Sequence, residues 1–186
     1  EGQILATLDD VQIKAELLIV KAQLAEALGR RARLIAERDN LDAIAFPAEL
    51  KTLSPSADLV IQGETRLFTG NKTTRDSQKE QLELSIKQTG EEINGMEARL
   101  AAKHEEIALV SAERAKLLEL FDKKLADYTR LYSAHKDWAR IPGEKGEIEA
   151  GIARARARAT EIRVQIIAID QNASTEAQRE LRTVDA

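Results

Sequence analysis

The chain has 186 residues, of which 32% are charged and 3% aromatic; its net charge is −4 and it contains no cysteine. This acidic balance excludes a nucleic-acid binder that relies on neutralising phosphates. The missing thiols exclude a disulfide framework, a thiol nucleophile and a cysteine metal site.

Ala, Leu, Ile, Glu, Lys and Arg dominate, a mixture that suits long helices packed along narrow seams better than a round core. A first helix is predicted over 10–43. Ile13, Leu17, Val20, Leu24, Ala27, Leu34 and Leu41 recur in alternating steps of three and four, which is the heptad seam of a coiled coil. Arg31 and Arg38 fall on seam positions, so this seam should open to water towards its far end. A second, weaker stripe through Val11, Leu18, Ala25, Leu28, Ala32 and Ile35 predicts that the helix touches two neighbours.

Residues 44–56 form the one internal loop. Pro47 and Pro55 disfavour helix in the residues before them, and Ser54 or Ser56 is placed to cap the next helix. Phe46, Leu50 and Leu53 are expected to pin the loop down.

A second helix is predicted over 57–122. Leu82, Ile86, Ile93, Met96, Leu100, Ile107, Val110, Leu117 and Phe121 keep one seam, whereas Thr69–Gln81 is polar and poor in apolar anchors. Gly90 and Gly95 each cost up to about 1 kcal/mol relative to alanine and suggest a bend or a close approach. A turn at 123–127 leads to a third helix over 128–182, followed by a tail at 183–186. Leu131, Ala134, Trp138, Ile141, Ile148, Ile152, Ala155, Ala159, Ile162, Ile166, Ile169 and Ala173 hold one register straight through Pro142-Gly143. That continuity predicts a kink at Pro142, with a short break as the alternative.

At about 1.5 Å per residue the helices measure roughly 50, 100 and 80 Å. The second and third pair as a long antiparallel coiled-coil hairpin, and the first lies alongside as a third helix. The fold class is therefore all-α. No apolar run is long enough to span a bilayer. The abrupt start at Glu1 and stop at Ala186 read as the ends of a piece of a larger chain.

Chemistry is hard to place on this framework. His104 and His135 lie on different helices with no partners at metal-ligand spacing, and the acidic residues are spread as solvated helix faces require. The glycines sit among helix formers with no preceding strand, unlike a phosphate loop. Arg154, Arg156 and Arg158 alternate around the helix and read as a solvated face. No catalytic residue, metal ligand or cofactor is expected, and the protein is not expected to be an enzyme.

The turn is the most unusual stretch. Phe121, Tyr128, Tyr132 and Trp138 are four of the six aromatics and gather around it. Phe121 and Trp138 fall on seam positions and are expected to be core. Leu125, Tyr128 and Tyr132 are candidates for a partner contact, since aromatics and leucine at the end of a helical rod suit a docking surface.

Several segments carry a family resemblance. These are Glu1-Gly2-Gln3-Ile4-Leu5 with Leu8-Asp9, Ala32–Asp39, Ile44–Leu50 with its Phe46-Pro47, Gly63-Glu64 with Leu67-Phe68, and Gly143–Ile148. The chain resembles the periplasmic adaptors, or membrane fusion proteins, of type I secretion systems, the HlyD/PrtE-like family. The combination of Glu37-Arg38-Asp39 with Phe46-Pro47 is its most specific part.

The resemblance implies that residues 1–9 end a lipoyl half-motif that carries no lipoate. It also implies a transmembrane anchor outside these 186 residues, in an inner-membrane protein whose body lies in the periplasm of a Gram-negative bacterium. The implied partners are an inner-membrane ABC exporter, a TolC-like outer-membrane channel met by the hairpin tip, and further copies of the chain, as a hexamer. No nucleic acid is implied.

The family's Arg–Leu–Ser/Thr tip motif falls on Lys116, Leu120 and Asp127, where only the leucine matches. A shifted register takes Arg114, Leu118 and Leu125 instead. The candidate tip residues are therefore Lys116, Leu120, Leu125, Asp127, Tyr128 and Tyr132. The competing expectation is an unrelated structural coiled-coil scaffold.

Overall fold

The computed structural model describes residues 11–186. The expected lipoyl end at 1–9 lies outside the described residues. The elements are α1 (Val11–Arg38), α2 (Leu50–Leu53), α3 (Ala57–Asp122) and α4 (Tyr128–Asp185). No strand occurs among the described residues. α3 and α4 each contribute to both of two compact units, one of residues up to Lys79 with Ile166–Ala186, the other of Glu80–Gln165.

In the first unit three helices pack together. α1 runs parallel to α3: Gly29 lies against Val60, and Arg33 reaches Glu64. It runs antiparallel to α4, where Arg30 meets Glu180, Arg31 meets Asp185, and the Ser174 hydroxyl donates to the Arg38 carbonyl at 2.8 Å. Leu34, only 1% exposed, is buried with Ala177 and Leu181, and Ile35 and Val184 pack against this cluster. α1 thus has the two neighbouring helices expected of it, although Leu34 and Ile35, one from each stripe, both pack on the α4 cluster. Over the first half of α1 the seam is open, and Ile13, Leu17, Val20 and Leu24 are all exposed.

α1 ends at Arg38, short of the boundary at 43 that the heptad pattern suggests. Asn40 adopts φ 50°, and the amides of Asn40 and Leu41 donate back to the carbonyls of Glu37 and Ala36. This is the left-handed cap that asparagine tolerates better than most residues, and it stops the helix before the pattern runs out. The 44–56 loop contains the one-turn α2. Leu50 is fully buried there, Phe46 and Leu53 are half-buried, and the Ser54 hydroxyl accepts the Ser56 amide rather than one inside α3.

A polar cluster sits beneath these contacts. The Arg33 Nε–H donates to Glu64 at 2.6 Å and its Nη1 to Glu37 at 2.8 Å, while Asn71 donates to the other oxygen of Glu37 at 2.8 Å. The side chains of Arg33 and Glu37 are only 10% and 9% exposed. Burial works to lower the Arg33 pKa. The hydrogen bond to Glu64 and the charges of Glu37, Glu64 and Glu180 outweigh it, so the net direction is upward and the guanidinium stays charged.

The close approach of α1 to α3 depends on Gly29. A Cβ there would lie 2.5 Å from the Val60 Cγ1. Gly90 and Gly95, the glycines singled out by their place in a helix interior, face open space instead. Gly29→Ala is expected to lose about 1–2 kcal/mol of stability. Overpacking of about 1–3 kcal/mol is partly offset by the better helix propensity of alanine. Adding Val60→Ala should recover most of the loss in urea unfolding.

The second unit is an antiparallel pair. α4 buries Ala134, Ile141, Ile152, Ala155 and Ala159, and the α3 seam from Leu82 to Leu117 is half-buried. Met96 Sδ would lie 3.0 Å from a Cβ at Gly151, so glycine permits close contact here too. Arg156 pairs with Glu97 and Arg158 with Glu92 across the helices while staying exposed, so each bridge contributes little.

Candidate functional site

The reversal at 123–127 is built by backbone geometry at both ends. α3 closes on Lys124, whose φ is 60°, with the Lys124 amide donating to the Phe121 carbonyl and the Leu125 amide to the Leu120 carbonyl, both at 2.8 Å. α4 opens on Asp127, whose Oδ1 accepts the Arg130 amide at 2.9 Å, the bond expected of an N-cap aspartate. The turn is therefore held by caps on both sides, and Asp127 has a structural task beyond any partner contact.

Leu125, 73% exposed, projects from this reversal largely into solvent. Tyr128 and Tyr132 follow one turn apart on α4. Their rings stack with centroids 6.0 Å apart, and Phe121 reaches Tyr128 from α3 at 6.4 Å. All three rings are exposed. Phe121 thus departs from its expected core place: it lies in the last turn of α3, where the seam runs out, and it joins the exposed ladder.

Lys116 and Leu120 lie elsewhere. They line an open groove of about 410 Å³ between the helices, with Leu117 on α3 and Arg130, Ser133 and Asp137 on α4. The six candidate residues therefore fall into two neighbouring sets, one in this groove and one on the exposed ladder, with Asp127 at the cap between the helices.

Of the shifted triplet, Leu118 is exposed, but Arg114 is engaged within the hairpin. Its Nε–H donates to His135 Nδ1 at 3.0 Å, and its guanidinium lies 4.6 Å from the centre of the Trp138 ring. Trp138 itself is half-buried.

α4 remains helical through Pro142. Side chains bridge the position: Arg140 pairs with Glu144 along α4, and Lys103 donates from α3 to Glu144 at 2.6 Å and to Glu106 at 2.5 Å. The hydrogen bond from Lys103 is the main cause holding the Glu144 carboxyl below its ordinary value. Glu106 first, then Glu144, raises Lys103.

Among the described residues, no group of three or more His, Asp or Glu is placed to hold a metal ion, and no helix is long and apolar enough to cross a membrane. What the site offers is an exposed apolar and aromatic surface on a reversal capped at both ends.

Comparison with known proteins agrees with this architecture. A family model described as AprE, long alpha-helical hairpin, matches residues 13–186. The chain is 32% identical over 187 residues to the type I secretion system membrane fusion protein PrsE of Rhizobium meliloti (strain 1021); the match covers the whole chain but 43% of PrsE. Among solved structures, the soluble domain of LipC, a membrane fusion protein of a type I secretion system, superposes with a TM-score of 0.68. That match covers 99% of this chain and 94% of LipC's at 18% identity, and so speaks for the fold. The chain belongs to the AprE long α-helical hairpin family, the hairpin of type I secretion membrane fusion proteins.

Proposed function

We propose that this hairpin belongs to the periplasmic part of an inner-membrane-anchored adaptor and links an ABC exporter to a TolC-like outer-membrane channel. The observation that carries the proposal is the family match over residues 13–186. The hairpin contributes binding surface, with no chemistry of its own. Its turn, with Leu125, Tyr128 and Tyr132 exposed, meets the channel, and Lys116, Leu120 and Asp127 lie beside or beneath that contact. The adaptor works as several copies around the exporter, a hexamer in this reading.

Co-isolation of the full-length protein from membranes tests the assignment. The unaltered protein should bring down both an ABC exporter and an outer-membrane channel. A variant carrying Leu125→Asp with Tyr128→Ala should keep the exporter and lose the channel. Recovery of neither partner with the unaltered protein would overturn the proposal.

A further inference from the structure

Within the second unit, the cations that cross between α3 and α4 have carboxylate partners in three cases: Lys103 with Glu144, Arg156 with Glu97, and Arg158 with Glu92. Arg114 is different. Its contacts across the pair are the His135 ring nitrogen at 3.0 Å and the Trp138 face at 4.6 Å, and the His135 and Trp138 rings lie 5.9 Å apart. The guanidinium plane both stacks and donates, a combination that suits arginine and that a lysine ammonium does not reproduce.

The place of this contact gives it a consequence. Pro142 has no N–H, so the Trp138 carbonyl receives no helical hydrogen bond from it. A Cβ at Gly143 would meet nothing within 4 Å, so the next residue adds no packing on that side. The stretch Tyr128–Ile141, between the turn and this interruption, is about four helical turns. α4 continues through the missing bond, and side chains that pack on α3 hold this end of it in place, with Ala134 and Ile141 both buried. Ile141, 1% exposed, anchors its end. Arg114 grips its middle, one turn beyond Tyr132.

We propose that Arg114 is a positioning residue for the hairpin tip: by holding His135 and Trp138 it fixes Tyr128–Ile141 against α3 and sets where the Tyr128–Tyr132 ladder points. Its relevance to export rests on the docking role proposed above for that ladder. Arg114 itself touches no partner and acts through α4.

Hydrogen exchange on the full-length protein tests the claim directly, with Arg114→Met as the variant because methionine keeps the length and loses the charge and the fork. Amide exchange across Tyr128–Ile141 should rise about tenfold or more, while residues 148–162 stay unchanged. With any tryptophan outside these 186 residues replaced by phenylalanine, emission from Trp138 should shift. Export should fall about tenfold. Exchange across Tyr128–Ile141 within about twofold of the unaltered protein overturns the proposal.

The double variant Leu125→Asp with Tyr128→Ala separates the two readings. If that variant blocks export while Arg114→Met exports normally, positioning is refuted and docking stands. If both export normally, the docking reading has failed, and the exchange measurement alone decides the positioning claim.

Discussion

Arg33→Met should destabilise the three-helix unit by about 3–5 kcal/mol, the cost typical of removing one partner from a buried ion pair. The substitution removes the Nε donor to Glu64 and the Nη1 donor to Glu37, and leaves two carboxylates facing a site from which water is largely excluded. Asn71 retains one bond to Glu37, which does not neutralise it. In urea unfolding followed by circular dichroism, the transition of the altered unit should move down by about 1–3 M.

The companion variant is more diagnostic. Arg33→Met combined with Glu37→Leu and Glu64→Leu removes every charge of the cluster at once and should recover most of the loss, because a buried pair offsets its own desolvation poorly. If the single substitution costs less than about 1 kcal/mol, the cluster is solvated and does not hold α1 in place.

The second large effect is functional. Leu125→Asp with Tyr128→Ala should abolish export while leaving helicity unchanged. Both side chains are exposed, so their loss should change stability by no more than about 0.5 kcal/mol each. The Leu125 amide bond to the Leu120 carbonyl and the Asp127 cap are backbone and side-chain contacts that the substitutions leave alone. Interface hot spots of this kind are worth about 2 kcal/mol or more apiece, so losing two lowers affinity by roughly a thousandfold. The aspartate adds a charge where an apolar contact was. Normal secretion by the double variant, with unchanged circular dichroism, would defeat the docking role of the tip.

Much of the architecture was legible because heptad spacing is a direct readout of helix packing. α1 contacts both α3 and α4, as a helix with two stripes should, and the unbroken register across Pro142 corresponds to a helix that continues through it. What pattern reasoning missed is non-periodic. Gly29 resembles Gly90 and Gly95 in sequence, and only the position of Val60 makes it, unlike those two, a close approach.

Arg33 and Glu37 look like an ordinary i,i+4 surface pair until Glu64 arrives from a parallel helix. Asn40 could have been recognised as a helix stop by its tolerance of the left-handed conformation, and the heptad count simply ran past it. At the turn, composition pointed to the aromatics. It did not separate the exposed ladder from the Arg114–His135–Trp138 contact, which requires knowing which rings face across the pair.

The most direct test of tip docking uses the absence of cysteine from the sequence. In the full-length protein, with any cysteine outside these 186 residues replaced by serine, a single Leu125→Cys, or a single Leu109→Cys as an equally exposed control on α3, gives one thiol for a short crosslinker in living cells. Tip docking predicts an adduct with the outer-membrane channel from Leu125→Cys and none from Leu109→Cys. A channel adduct from Leu109→Cys with none from Leu125→Cys would contradict it.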